Sequence, residues 1–145
     1  MKRLFYLLAA AAFTACGSAT TLSVMTFNMR YDNPEDGADN WRFRRGRVAE
    51  VIASHGVDVF GTQELLANQL GDLKRLLPGY AAVGVGREDG AEAGEFSAVF
   101  YRRDRFTPLE SGTFWLSEAP DVAGSKGWDG ACERVATWVV LPDRE

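Results

Sequence analysis

Two stretches of sequence decide the fold, LSVMTFNMR at residues 22–30 and VDVFGTQE at residues 57–64. The first stretch is apolar on both alternations until Asn28, which is typical of a β-strand covered on two faces. The second stretch is also mostly apolar, and it ends in Gln63 and Glu64. We therefore expect two core strands, each with a polar side chain near its end.

A single helical segment joins these two strands. Between Trp41 and Ser54 the apolar side chains fall on one helical face, formed by Trp41, Val48, Val51 and Ile52. Asn40 can cap the start of this helix, and Gly56 suits its end. Residues 31–40 contain proline, glycine and four acids, so we expect an irregular loop before the helix.

The remainder of the chain continues the α/β pattern. Four leucines at helical spacing predict a second helix that ends before Pro78, namely Leu66, Leu70, Leu73 and Leu77. Aromatic and β-branched stretches then predict strands at residues 80–85, 96–102, 112–116 and 134–141. The expected fold class is α/β, with a mixed sheet covered by helices. Because the chain stops directly after a strand, we expect residues 20–145 to be the N-terminal part of a domain, truncated before its second half.

The first residues have the pattern of an export signal. Lys2 and Arg3 precede an apolar run from Leu4 to Phe13, and small residues follow. The run is shorter than the roughly 20 residues of a membrane-spanning helix. We assign residues 1–19 to the signal, with two alternatives: ordinary cleavage, or a lipoprotein signal that ends before Cys16 and leaves a lipid on it. In both cases we expect export to the periplasm or beyond, with membrane attachment only through Cys16.

Composition narrows the function further. Hydrophobic residues make up 46% and charged residues 25% of the chain, which is typical of a globular protein. The formal net charge of −4 disfavours a stable nucleic-acid complex. With one histidine and two cysteines the sequence has no zinc-ligand cluster, so any metal should be a hard ion bound by oxygen. We expect the protein to be a monomer.

The two strand ends form the first candidate site. If the strands are near-parallel neighbours, Asn28 and Glu64 lie at the same edge of the sheet, where α/β proteins form ligand clefts. Magnesium commonly needs only one carboxylate together with a phosphate oxygen, so Glu64 could bind the ion. Asn28 could orient Glu64, bind a metal-bound water or contact a phosphate. The alternative is that Glu64 is an ordinary first-turn acid of the following helix.

Two further residues could take part in chemistry. Arg134 begins a strand, where it could neutralise a phosphate or simply pair with Glu133 or another acid. His55 is the only histidine and could act as a base, but its position favours a role at the end of the first helix. The sequence alone leaves these alternatives open.

Several segments together resemble the endonuclease/exonuclease/phosphatase superfamily. MTFNMR at residues 25–30 and TQE at residues 62–64 carry the resemblance, and later segments agree with exported bacterial members at residues 95–102, 112–117 and 134–138. The resemblance implies a four-layer α/β sandwich, Mg²⁺ or Mn²⁺ as cofactor, and hydrolysis of a phosphoester by in-line attack of water.

The same resemblance assigns roles to individual residues. It implies that Glu64 binds the metal and that Asn28 belongs to the catalytic site, with a direct or water-mediated contact to the ion. It implies a phosphate-facing position for Arg134. Tyr31 and the loop at residues 128–129 would approach the substrate.

One departure from the family pattern limits the expected activity. Family members also have an Asn-Thr-His-like segment, a Gly-Asp-Phe-Asn-like segment and a Ser-Asp-His-like ending, and none of these occurs here. These groups orient and deprotonate the attacking water, so we expect the 145-residue chain to be nearly inactive alone. The expected function is a metal-dependent hydrolase of a phosphoester of unknown class. The alternative is a non-catalytic exported module that binds a ligand on the same sheet, and a coding sequence beyond Glu145 that lacks the missing segments would favour it.

Overall fold

The computed structural model describes residues 21–144. The predicted export signal at residues 1–19 and its Cys16 lie outside the described residues. Among the residues that are described, no helix is long and apolar enough to cross a membrane.

Strands and helices alternate at first, and strands then follow one another. In chain order the elements are β1 (Val24–Asn28), a 3-10 helix (Pro34–Asp39), α1 (Trp41–His55), β2 (Val59–Gln63), α2 (Ala67–Leu76), β3 (Tyr80–Val83), β4 (Val99–Arg102), β5 (Glu110–Trp115) and β6 (Val135–Val140). This order confirms the α/β class that the sequence predicts.

The strands form two sheets. The first has the order β1-β2-β4-β3, and the second consists of β5 and β6. β1 and β2 are parallel, whereas the β2–β4, β3–β4 and β5–β6 pairs are antiparallel. The first sheet is therefore mixed, as predicted. Its two parallel strands begin at one end of the sheet and end together at the other.

Local sequence explains where the helices begin and end. The Asn40 side chain accepts a hydrogen bond from the Arg42 N–H at 3.2 Å, and Gly56 ends α1 with a φ of 56°. Glycine reaches this left-handed conformation without the strain that a side chain would add. At α2, the Leu66 N–H donates to Gln69 Oε1 at 2.9 Å. Leu66 is thus the residue that caps α2 rather than a member of it.

The core lies between the first sheet and the two α-helices. Ile52 of α1, Leu73 of α2, Phe60 of β2 and Phe100 of β4 are all fully buried in one cluster. The rings of Phe60 and Phe100 stack with their centroids 4.5 Å apart. Burying four large apolar side chains contributes about 1.5–3 kcal/mol for each, which makes this cluster the main source of stability.

Two expectations near the start of the chain are wrong in detail. Residues 31–40 are not irregular throughout, because Asn33 caps the 3-10 helix by accepting a hydrogen bond from the Glu35 N–H at 3.1 Å. Within residues 21–144, β1 is also covered by the core on one face only. Its Val24 is 65% exposed, since the side chains of β1 that pack against the core are Met25 and Phe27.

The predicted strand at residues 96–102 is also shorter than expected. β4 begins only at Val99, and Phe96 instead forms isolated bridges to Leu65 and Gly86. Phe96 is nevertheless 3% exposed and belongs to the core cluster, so its apolar character reflects burial in the core rather than a place in the strand.

Candidate active site

The carboxyl ends of β1 and β2 lie side by side, and we call this end of the sheet the carboxyl edge. It brings Asn28 and Glu64 together although they are 36 residues apart in sequence. Asn28 Nδ2 donates a hydrogen bond to Glu64 Oε1 at 2.9 Å. The contact follows from the parallel register, in which Asn28 lies opposite Gln63, the residue before Glu64.

Backbone geometry holds both side chains in place. The Arg30 N–H donates to Asn28 Oδ1 at 2.8 Å, and the Tyr31 N–H donates to Glu64 Oε2 at a longer distance of 3.4 Å. Arg30 and Glu64 have positive φ values, 54° and 55°. This left-handed conformation is uncommon outside glycine, and such strain is concentrated at functional sites. The strained residues therefore lie at or beside the two predicted site residues.

Both helices support the turn that follows Asn28. Gln69 of α2 is fully buried, and its Nε2 donates to the Arg30 carbonyl oxygen at 3.0 Å. Arg44 of α1 donates from Nη1 to the Met29 carbonyl oxygen at 2.6 Å. Because these donors come from packed helices, the position of Asn28 is fixed by the core and not by the exposed loop after it.

An open cavity of about 200 Å³ contains the Asn28–Glu64 pair. Its lining comes from the ends of β1 and β2, the β3–β4 connection and the start of β6, with residues Asn28, Gln63, Glu64, Arg87, Glu95, Ser97, Arg134 and Val135. Arg134 therefore shares the cavity with Glu64. Arg134 is exposed, and its side chain forms no ion pair within residues 21–144. The alternative pairing with Glu133 is therefore not observed there.

Two lining residues were not singled out from the sequence, Arg87 and Glu95. Arg87 Nη1 lies 2.7 Å from Glu95 Oε2, and the two side chains are 16% and 25% exposed. Among residues 21–144, Arg87 Nε is the one buried side-chain nitrogen or oxygen without a hydrogen-bond partner. An unpaired buried donor costs about 1–3 kcal/mol, so it calls for an explanation. In the sequence, the glycines around Arg87 indicate a loop. They do not indicate that this loop lines the cavity, because that position depends on long-range pairing.

The other candidates from the sequence lie outside this cavity. His55 is exposed at the end of α1, where its Nδ1 lies 2.8 Å from the Val51 carbonyl oxygen. His55 precedes β2 in the chain and Glu64 follows it, so the two residues lie beyond opposite ends of that strand. Trp128 and Asp129 have φ values of 52° and 61° in the connection between β5 and β6, and Trp128 is 65% exposed.

The donors at the carboxyl edge suit a hard cation. Each carboxylate oxygen of Glu64 accepts one hydrogen bond, which leaves lone pairs on both oxygens. Within the described part of the chain, no three His, Cys, Asp or Glu side chains are close enough to hold a metal by themselves. Mg²⁺ does not require such a cage, because it commonly takes one or two carboxylates together with water and a substrate phosphate. The residues present therefore fit Mg²⁺ or Mn²⁺ as part of a site that a phosphate completes.

Comparison with known proteins identifies the family. The model of the Endonuclease/Exonuclease/phosphatase family matches residues 25–144. The chain belongs to this family. Its family match includes Asn28, Glu64 and Arg134, and it confirms the resemblance seen in the sequence. No significant match was found among curated proteins.

Solved structures of this family share the fold. An endonuclease/exonuclease/phosphatase from Bacteroides vulgatus is 48% identical, with a TM-score of 0.86 over 87% of this chain and 48% of that one. A mannosyl-6-phosphatase from Bacteroides thetaiotaomicron VPI-5482 is 46% identical, with a TM-score of 0.83 over 86% of this chain and 47% of that one. A conserved protein from Enterococcus faecalis V583 is 30% identical, with a TM-score of 0.79 over 85% and 48%. The chain thus spans about half the length of these relatives.

Proposed function

We propose that the protein is a divalent-metal-dependent hydrolase of phosphoester bonds and that the carboxyl edge is its active site. The observation that supports this most is the 2.9 Å hydrogen bond between Asn28 and Glu64, in a cavity that also contains Arg134. A carboxylate, an amide and an arginine that has no carboxylate partner among the described residues suit a metal ion with a bound phosphate. Membership of the family supports the same class of reaction.

Each residue has a distinct role in this proposal. Glu64 would hold Mg²⁺ or Mn²⁺, and the bound ion supplies positive charge that stabilises the developing charge of the phosphoryl group. Asn28 orients the Glu64 carboxylate through Nδ2, while the Arg30 N–H fixes the Asn28 amide by donating to Oδ1. Arg134 would donate hydrogen bonds to a non-bridging phosphate oxygen.

The 145-residue chain should contribute only part of the catalytic apparatus. The described lining of the cavity contains no histidine, which is the most frequent general base in enzymes. We therefore propose that turnover belongs to the protein expressed from its complete gene, with residues 21–144 supplying Glu64, Asn28 and Arg134. Export and a lipid on Cys16 stay predictions.

A phosphomonoester of a sugar is the substrate class to test first. One relative that is 46% identical is named a mannosyl-6-phosphatase, and this name is the most specific indication among the relatives described above. The formal net charge of −4 argues against a polymeric nucleic acid, which proteins usually attract with positive charge. We propose sugar phosphates ahead of nucleic acids.

The test uses the protein expressed from its complete gene. Release of inorganic phosphate would be measured from mannose 6-phosphate and a nucleoside monophosphate, and cleavage of a chromogenic diester would be followed in parallel. Each reaction would be run with Mg²⁺ and with excess chelator. We expect metal-dependent hydrolysis that is fastest for the sugar phosphate. Turnover that survives the chelator would contradict the metal role, and binding without any turnover would favour the non-catalytic module.

A further inference from the structure

Arg87 lines the wall of the proposed active-site cavity but belongs to no strand or helix. It lies in the connection between β3 and β4 and lines the cavity together with Glu64 and Arg134. This connection is anchored beside Glu64, because the Phe96 N–H donates to the carbonyl oxygen of Leu65, the next residue, at 2.7 Å. The position of Arg87 is therefore coupled to that of the proposed metal ligand.

The backbone around Arg87 is held from both sides. Its N–H donates to the Glu95 carbonyl oxygen at 3.2 Å, and its carbonyl oxygen accepts a hydrogen bond from Trp115 Nε1 at 2.6 Å. The preceding Gly86 has no room for a side chain, since a Cβ there would collide with the Ala93 carbonyl oxygen. The loop thus presents Arg87 from a fixed backbone, as precise ligand binding requires.

The guanidinium of Arg87 is only partly used by the fold. Glu95 contacts Nη1 at 2.7 Å, whereas Nε is buried and has no partner. Arginine has five N–H donors arranged to bind planar or tetrahedral oxyanions at two points. Glu95 thus orients the group through Nη1, and because Nε is buried, the terminal nitrogen Nη2, which has no partner within residues 21–144, is the one left for a ligand.

The cavity then offers three distinct partners for a phosphate. As proposed above, Glu64 would hold a metal ion that supplies positive charge to the phosphate, and Arg134 would donate to one terminal oxygen. Arg87 supplies a third partner in the same cavity. A phosphomonoester has three terminal oxygens, whereas a diester has two, because its second alcohol occupies the third position. The third partner is useful only to a monoester.

We propose that Arg87, positioned by Glu95, binds the third terminal oxygen of the substrate and selects phosphomonoesters over diesters. This inference rests on the proposed function, since it concerns the same cavity. Glu95 acts through Arg87 and is a positioning residue, while Arg87 itself contacts the phosphate.

The first test measures binding without metal, in the protein expressed from its complete gene. Phosphorus NMR titrations with phenyl phosphate and with methyl phenyl phosphate would be compared for the chelator-treated wild type and Arg87→Gln. We expect the wild type to bind the monoester about tenfold more tightly than the diester, a difference typical of one charge-assisted contact. Arg87→Gln should lose this preference.

A matched control and a kinetic readout separate binding from folding. Arg103→Gln removes an exposed arginine that donates to the Tyr80 carbonyl oxygen at the start of β3, outside the cavity that contains Glu64, and it should behave as wild type. With Mg²⁺, Arg87→Gln should lower kcat/KM for p-nitrophenyl phosphate about 100-fold. Glu95→Gln should raise KM more than it lowers kcat, and Arg87→Lys should recover part of the loss.

The outcomes distinguish this inference from the proposed function. Monoester preference that persists in Arg87→Gln, or that is absent from the wild type, would overturn the role of Arg87. If turnover is then still abolished by Glu64→Gln, the proposed function stands without it. If Arg87 carries the preference but no variant or wild type shows turnover, the inference stands and the proposed function fails.

Discussion

The two ends of the parallel strand pair carry the same kinds of charged residue but use them differently. At the amino edge, where β1 and β2 begin, the buried Asp58 accepts hydrogen bonds from the Ser23 N–H at 2.8 Å and from Arg105 at 2.8 Å. Arg105 is in turn paired with Asp143 at 2.6 Å. At the carboxyl edge, Glu64 has hydrogen bonds but no ion pair, and Arg134 has no ion pair within residues 21–144.

This difference shows which charges serve the fold and which are available to a ligand. Hydrogen bonding by Ser23, with a further contribution from Arg105, lowers the pKa of Asp58, as expected when the charged form is stabilised inside the fold. A buried and satisfied ion pair is costly to break, whereas an exposed and unpaired charge contributes little to stability. The paired charges of the amino edge therefore stabilise the fold, whereas Glu64 and Arg134 contribute little to it, which is consistent with the proposed binding role.

The largest expected effect is on stability at the amino edge. Asp58→Asn should lower the free energy of unfolding by about 3–5 kcal/mol, because it leaves the buried Arg105 without one of its carboxylate partners. Glu64→Gln should change it by less than about 1 kcal/mol, because Glu64 makes hydrogen bonds but no ion pair within residues 21–144. Urea unfolding of both variants and the wild type measures the two values. Equal losses would remove the distinction between the edges.

The second effect is on activity at the carboxyl edge. Arg134→Gln should reduce kcat/KM about 10- to 100-fold in the protein expressed from its complete gene, because a charge-assisted contact to phosphate is lost. The urea midpoint should not move, since the side chain is exposed and makes no ion pair in the described chain. A variant that unfolds more easily while keeping full activity would place Arg134 among the structural residues.

The smallest effect is the response of the amino edge to acid. The pKa of Asp58 is lowered from its ordinary value of 3.8, so its contribution is present at neutral pH and is lost as the pH falls through the lowered value. The stability difference between wild type and Asp58→Asn should therefore shrink below about pH 4. Unfolding free energies measured from neutral pH downward would show this. A difference that stays constant as the pH falls would contradict a contribution from the ionised form of Asp58.

The meeting of Asn28 and Glu64 in the candidate site could be predicted from the sequence because it depends on local patterns. Stretches that are apolar on both alternations predicted β1 and β2, and the single helix between them predicted parallel neighbours, which is sufficient to bring Asn28 to Glu64. The caps Asn40 and Gly56 fixed α1 for the same local reason. These features follow from backbone rules that hold wherever the sequence occurs.

The features that the sequence did not predict depend on long-range contacts, which local patterns do not reveal. Arg87 contacts Glu95 and lines the cavity because Phe96 bridges to Leu65. The sequence of the loop does not predict that long-range pairing. The network around Arg105 joins residues that are 38 and 47 positions apart in sequence. Asn33 could have suggested a short helix through its capping side chain, but the neighbouring proline and glycine favour a loop equally well.

The most direct test of the carboxyl edge is the Mg²⁺ dependence of turnover in wild type and Glu64→Gln. Both proteins would be expressed from the complete gene, checked for equal urea midpoints, and assayed with p-nitrophenyl phosphate over a range of Mg²⁺ concentrations. We predict that Glu64→Gln lowers kcat/KM by at least about 100- to 1,000-fold and removes activation by Mg²⁺. A folded Glu64→Gln protein with wild-type turnover and unchanged Mg²⁺ activation would contradict the account.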